Sequence, residues 1–77
     1  MNNSDRVRQV IATTFKLPVA RVPADASMGK LPEWDSVGHV NLMMSIEQEF
    51  DLMLEVEDFA ELTSVSTIVD YLAKHGG

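Results

Sequence analysis

Apolar residues recur with helical spacing in three separate stretches of the chain. No segment shows the alternation of apolar and polar residues that is typical of a half-buried strand. The first stretch predicts a helix over residues 4–16, with Ser4 as a plausible N-cap, and the second predicts a helix over residues 36–50. The third predicts a last helix that Thr63 or Ser64 caps and that Gly76-Gly77 ends. The positions that define the three stripes are Val7, Val10, Ile11, Thr14 and Phe15, then His39, Leu42, Met43, Ile46 and Phe50, then Val65, Ile68, Val69 and Leu72.

Two connecting segments complete the pattern. Residues 17–35 form a long connection in which three prolines and Gly29 oppose regular structure, and a connection of this length is usually functional or packed on the core. Residues 56–61 predict one short helical turn. We therefore predict a single all-α domain over residues 1–77, with three main helices, a short third helix and a long first loop. The apolar residues expected to face inward are Val22, Ala26, Met28 and Leu31 in the loop and Val56, Phe59 and Ala60 in the short turn.

The helix predicted over residues 36–50 has two apolar faces, whereas a helix that only covers a core needs one. On a helical wheel, its core stripe lies on one side, and Val37, Val40 and Met44 gather on another. Glu47 is among the polar residues that rim this second patch. A small apolar patch with a polar rim is typical of a partner-docking surface, although a few exposed apolar residues also occur without any function.

The charge is unevenly distributed. The net charge is −6, yet residues 1–30 are basic, and residues 31–73 contain ten carboxylates with no Lys or Arg. This acidic part repels nucleic acid and anionic lipid and favours basic protein partners. The chain has no cysteine, no apolar run that could span a bilayer and no signal-peptide pattern. We therefore expect a monomeric cytoplasmic protein that binds neither nucleic acid nor membrane.

Ser36 is the main candidate for chemistry, because it begins the two-faced helix directly after Asp35. A serine there is either an N-cap or a site that another enzyme modifies. A catalytic role with His39 is disfavoured, since no oxyanion-hole or nucleophile-elbow motif accompanies the pair. No metal site is expected, because the histidines lack ligand spacing and the acidic stretch lacks a calcium-loop glycine.

The segment Asp35-Ser36-Val37 resembles the Asp-Ser-Leu signature of the acyl carrier protein family, and the helix that follows resembles the family's second helix from Val40 to Asp51. The resemblance implies an acyl-carrier-like four-helix bundle in which Ser36 carries covalent 4′-phosphopantetheine. It implies a phosphopantetheinyl transferase, a loading ligase and acyl-processing enzymes as partners, with docking at Val37, Val40, Met44 and Glu47. It also implies an acyl pocket lined by Leu42, Met43, Ile46, Leu54, Phe59 and Leu62.

The chain departs from the common pattern at four positions. Glu33 and Trp34 stand where a glycine and a small residue are usual, and Gly38 and Asn41 stand where fatty-acid carriers often have acids. The Trp-Asp-Ser form is similar to D-alanyl carrier proteins and to carriers of specialised pathways. We expect a carrier that is not itself an enzyme, in fatty acid, polyketide or specialised lipid biosynthesis, with a short acyl or aminoacyl cargo. A non-covalent acidic helical adaptor is the alternative.

Overall fold

The computed structural model describes residues 3–75 and contains four α-helices within that range. They are α1 (Asn3–Phe15), α2 (Ser36–Phe50), α3 (Val56–Glu61) and α4 (Val65–Lys74), and one 3₁₀ turn, Val19–Arg21, lies in the first loop. The described residues contain two isolated β-bridges and no strand. The predicted all-α bundle with a short third helix is therefore confirmed.

The core lies where α1 packs against both α2 and α4, and each long helix contributes the stripe that its sequence predicts. Val7 and Ile11 of α1, Leu42, Met43 and Ile46 of α2, and Ile68 and Leu72 of α4 have no exposed surface. Burial of such side chains contributes about 1.5–3 kcal/mol each. Hydrophobic packing therefore brings the start of α2 to a fixed position beside the first loop.

The first loop is fastened by hydrogen bonds to α1 and to the link between α3 and α4. The Arg8 Nε donates to the Val22 carbonyl over 2.7 Å, which joins the loop to α1. At its other end the Met28 amide donates to the Thr63 carbonyl over 2.8 Å, which joins the loop to the α3–α4 link.

Val22, Ala26 and Leu31 are buried as predicted, but the prediction for Met28 is wrong, since its side chain is 41% exposed.

Local hydrogen bonds explain where the helices begin and end. α1 already includes Asn3, so Ser4 lies inside its first turn and is not its N-cap. The Ser64 hydroxyl caps α4 by accepting from the Thr67 amide. α2 ends at Phe50, and its C-cap residue Asp51 adopts left-handed dihedrals with φ 54°. The predicted stop at Gly76-Gly77 lies outside the described residues.

The short helix α3 differs most from its prediction. It contains no buried residue: Val56 is 85% exposed, Ala60 is exposed and Phe59 is half-buried. The inward orientation predicted for Val56 and Ala60 is therefore wrong. Hydrogen bonds hold α3 at its start. Glu55 and Asp58 form a reciprocal capping box there. The capping hydrogen bonds and the contacts of half-buried Phe59 hold α3, which has no buried apolar stripe.

Candidate functional site at the start of the second helix

At the start of α2, Asp35 caps the helix and Ser36 is its first residue. Asp35 has extended dihedrals, and its Oδ1 accepts a hydrogen bond from the Gly38 amide over 2.8 Å, so it is the N-cap. The interpretation of Ser36 as the cap is therefore wrong. Ser36 is the first helical residue, its side chain is exposed, and its hydroxyl makes no hydrogen bond within residues 3–75. This hydroxyl is accessible to an enzyme that approaches from solvent.

Gly38 allows the loop to pass close to the helix. A Cβ atom at this position would collide with the backbone carbonyl oxygen of Glu33 and would lie 2.9 Å from the Phe15 ring. Contacts this close to backbone do not relax easily, since the loop would have to move. The absence of an acid at this position, noted above as a departure from fatty-acid carriers, therefore has a packing explanation.

A buried chain of side-chain contacts lies beneath the site. The Trp34 Nε1 donates to the His39 Nδ1 over 2.9 Å, and the His39 Nε2 lies 2.6 Å from the Phe59 carbonyl oxygen. An indole nitrogen only donates, so His39 Nδ1 must accept and the proton must sit on Nε2, which then donates to Phe59. Both imidazole nitrogens are thereby occupied. His39 is not a base for Ser36, and its predicted place in the core stripe of α2 is confirmed, because it is 7% exposed.

Trp34 was not among the residues singled out from the sequence as core, yet its side chain has no exposed surface. Its ring stacks on the His39 ring with centroids 6.1 Å apart, and Phe59 meets the other side of this histidine edge-on at 6.5 Å. The sequence did contain one signal for this contact. An aromatic residue precedes the Asp-Ser segment, and a histidine follows it five positions later. These contacts link the loop before Ser36 to α3.

A groove opens beside the exposed serine. Its volume is about 270 Å³, and we call it the Ser36 groove. Apolar side chains from the end of the first loop make most of its lining, while its polar end is formed by Asp35 and Ser36. The apolar and glycine positions are Met28, Gly29, Leu31, Pro32 and Trp34.

A comparison with protein families identifies the chain. A family model described as a phosphopantetheine attachment site matches residues 5–72, which is most of the sequence. The chain belongs to this family. The resemblance to acyl carrier proteins is thus confirmed, and the cofactor of the family is covalent 4′-phosphopantetheine. An exposed serine with an unengaged hydroxyl and an open groove beside it fits such a group.

In this phosphopantetheine-attachment domain, the residues predicted to dock partners form an exposed surface. Val37, Val40 and Met44 are 74%, 47% and 51% exposed. Glu47 is half-buried, and its Oε2 accepts from the Leu54 amide over 2.9 Å, a structural role that sequence reasoning missed. Sequence reasoning also missed Met53, which is 85% exposed and borders the same pocket as Met44.

The residues predicted to line an acyl pocket lie in or against the core. Leu42, Met43 and Ile46 have no exposed surface, Leu54 and Leu62 are buried, and Phe59 packs against the core from α3. The first five belong to the hydrophobic core cluster of the bundle, so they fill interior space in the structure described. A guest chain would therefore have to displace them.

Residues 3–75 contain no group of three His, Cys, Asp or Glu side chains placed to hold a metal ion. None of the helices in that range combines the length and apolar character needed to cross a bilayer.

Proposed function

We propose that Ser36 carries the 4′-phosphopantetheine arm and that the protein acts as a monomeric cytoplasmic carrier, not as an enzyme. When bound, the arm supplies a thiol that holds an acyl or aminoacyl group as a thioester for partner enzymes. The observation that carries the proposal is the exposed Ser36 hydroxyl, which is left without a partner in residues 3–75 because Asp35 performs the capping.

The reaction that loads the arm needs an accessible hydroxyl on a fixed backbone. In the transfer from coenzyme A, the Ser36 Oγ forms a bond to the phosphorus that bears the pantetheine, and the phosphorus–oxygen bond to the nucleotide breaks. The nucleotide leaves as adenosine 3′,5′-bisphosphate, and the hydroxyl proton passes to a base of the transferase. The Asp35 cap and the Trp34–His39 contact fix the backbone on both sides of this hydroxyl, which supports a role as acceptor.

Partner enzymes are proposed to dock on Val37, Val40 and Met44, with Glu47 as the nearest acid. The exposure of the three apolar residues supports this proposal, because a contiguous apolar surface next to the modified residue can be gripped during transfer. Exposed ion pairs contribute only about 0–1 kcal/mol each, so apolar contacts should dominate the affinity. The partners are a phosphopantetheinyl transferase, a loading ligase and acyl-processing enzymes.

The cargo is proposed to be a short acyl or aminoacyl group, as in D-alanyl carriers, rather than a long fatty acyl chain. The complete burial of Leu42, Met43 and Ile46 supports this choice, since a long chain would need the core to repack around it. His39 adds no support for a polar cargo, because Trp34 and Phe59 occupy both of its nitrogens.

The attachment site is tested by incubating the purified chain with coenzyme A, magnesium and a broad-specificity transferase, followed by intact-mass measurement. Ser66 provides a matched control, because it is an exposed serine in the first turn of α4. The wild type and Ser66→Ala should each gain one phosphopantetheinyl group, and Ser36→Ala should gain none. Modification of Ser36→Ala would show that the site is wrong, and an unmodified wild type would favour the non-covalent adaptor.

The docking surface is tested by the rate of the same reaction. Met44→Ala should slow the modification of Ser36 more than Glu47→Gln does, because the glutamine keeps an oxygen that accepts from the Leu54 amide while it removes the charge. Circular dichroism would verify that both variants are folded. If Glu47→Gln were the slower variant, docking would be mainly electrostatic.

A further inference from the structure

Two side chains of α2 bind the backbone of the segment that contains α3. The His39 Nε2 donates to the Phe59 carbonyl oxygen over 2.6 Å, and the Glu47 Oε2 accepts from the Leu54 amide over 2.9 Å. The two side chains are about two helical turns apart on α2. The contact region between α2 and residues 54–59, which we call the α2–α3 interface, is therefore fastened at two points.

We propose that His39 is a specificity-determining residue, which holds the α2–α3 interface closed and keeps the cargo outside the core. The inference rests on the proposed attachment at Ser36, and it deepens the proposed choice of a short cargo by naming the residue that enforces it. His39 is three residues after Ser36 and four before the fully buried Met43, so it lies one turn from each. The route along α2 from the base of the arm to the core therefore passes His39.

Trp34 selects the form of His39 that can close the interface. Because the indole N–H donates to Nδ1 over 2.9 Å, the imidazole proton sits on Nε2, which faces the Phe59 carbonyl oxygen. In the other tautomer, Nε2 would be an acceptor opposite another acceptor, and no bond would form. The imidazole also lies between the stacked Trp34 ring and the edge-on Phe59 ring. Trp34 is therefore a positioning residue that acts through His39.

A short cargo cannot offset the cost of opening this interface. Two atoms at hydrogen-bond distance leave no space between them, so a chain that entered there would have to part His39 from Phe59. Parting them would leave polar groups unpaired at buried and half-buried positions. An acetyl or small aminoacyl group has little apolar surface to bury in exchange. A longer chain has more, but it would also have to displace the packed core.

The length of the cargo provides the test, because only a chain that enters the core gains stability from its methylene groups. A broad-specificity transferase would modify the protein with coenzyme A analogues that carry acetyl, butyryl, hexanoyl or octanoyl groups through an amide in place of the thioester. Two variants open the interface. His39→Ala removes the bridging imidazole. The double change Trp34→Phe with His39→Leu also removes the indole N–H that would otherwise lose its partner, and it serves for the comparison if His39→Ala does not fold.

Tyr71→Phe is the matched control. The Tyr71 hydroxyl donates to Asp58 over 3.3 Å, so its loss also loosens α3, but on the side of α4 rather than α2. Intact mass and circular dichroism are recorded for every sample, and Tm is measured with each cargo. Carbon-13 in the methionine methyl groups then reports contacts with the cargo in isotope-filtered nuclear Overhauser spectra. Met43 reports the core, and Met53, which is 85% exposed, reports the surface.

We expect the wild type to have the same Tm with octanoyl cargo as with acetyl cargo, and no cross-peak from the cargo to Met43. Tyr71→Phe should likewise have one Tm for all four cargoes. In the two open variants, Tm should rise with cargo length by up to about 3–6 °C for each methylene group taken up, and the Met43 cross-peak should appear.

Four results would overturn parts of this inference. An unmodified wild type refutes the attachment at Ser36 itself. In a modified protein the carrier function stands, and a Tm that rises with cargo length in the wild type refutes the closed interface. A Tm that stays constant in a folded open variant shows that His39 does not exclude the cargo. An equal rise in Tyr71→Phe and in the open variants assigns the effect to a general loosening of α3 instead of to His39.

Discussion

Replacement of His39 by leucine tests the buried contact chain that links the first loop to α3. The leucine fills much of the volume but neither accepts from Trp34 Nε1 nor donates to the Phe59 carbonyl oxygen. Trp34 is fully buried, so its N–H group would lose its partner without access to water. A buried polar group left unpaired costs about 1–3 kcal/mol, and two such groups give about 2–6 kcal/mol in the free energy of unfolding. For a domain of this size, each kcal/mol of that loss lowers Tm by about 4–8 °C.

The assay compares urea and thermal unfolding of the wild type with those of His39→Leu, His39→Gln and His75→Leu. Glutamine can accept and donate at once, so His39→Gln should retain a substantial part of the lost stability. His75 is exposed and stacks on Tyr71 with centroids 4.0 Å apart, and its replacement controls for the loss of a histidine as such. Trp34 is the single tryptophan, so its indole N–H resonance reports the hydrogen bond directly.

Two results would refute the reasoning. If His39→Leu were as stable as the wild type, the contacts from Trp34 and to Phe59 would contribute nothing net to folding. If His39→Gln were destabilised as much as His39→Leu while its indole resonance stayed at the wild-type position, ring packing rather than hydrogen bonding would be the cause.

Three further predictions follow from single contacts. Gly38→Ala should lower the free energy of unfolding by about 1–3 kcal/mol, because its methyl group collides with the loop carbonyl described above. Glu47→Ala should lower it by about 1 kcal/mol in urea unfolding, since the Leu54 amide loses its acceptor. The absorbance titration of Tyr71 should have its midpoint above 10.0, because burial first and then the Asp58 carboxylate raise the pKa of its phenol. With the pKa raised in the folded state, the stabilisation is present at neutral pH and is lost as the pH rises through that pKa, and Asp58→Asn should lower the midpoint.

Each of these predictions has a control on the same element or a result that contradicts it. Asn41→Ala changes an exposed position of α2 and should leave stability within about 0.5 kcal/mol, so an equal loss there would remove the steric argument for Gly38. Gln48→Ala serves the same purpose for Glu47, because Gln48 is exposed and adjacent. A Tyr71 midpoint that did not respond to Asp58→Asn would mean that the carboxylate has no influence on the phenol.

The long helices could be predicted from the sequence because burial repeats with the period of the helix. The segment predicted over residues 36–50 agrees with α2, and the exposure of Val37, Val40 and Met44 agrees with the second face of the wheel. Ser36 was also identifiable, since a serine after an aspartate at a helix start is a local pattern. Local periodicity and local motifs depend only on neighbouring residues, and a sequence displays them directly.

Contacts between distant segments were not predictable in the same way. A loop has no period that assigns faces, so the burial of Trp34 could be suspected only from the histidine five positions later, and periodicity gave no sign of it. The bond from the Leu54 amide to Glu47 depends on how the chain turns after α2, so Glu47 looked like a purely exposed acid. Val56 was assigned to the wrong face because a helix of six residues is too short for its pattern to fix an orientation.

The absence of buried residues in α3 has a consequence for how the bundle fluctuates. Local unfolding costs least where few apolar contacts are lost, and α3 is held by its capping box, by the bond from His39 to the Phe59 carbonyl and by the bond from the Tyr71 hydroxyl to Asp58. We therefore expect its amides to exchange with solvent before those of the longer helices. Each such opening breaks the contact of Phe59 with His39 and withdraws Phe59 from the core against which it packs, so that part of the interior becomes transiently accessible while the attachment helix stays folded.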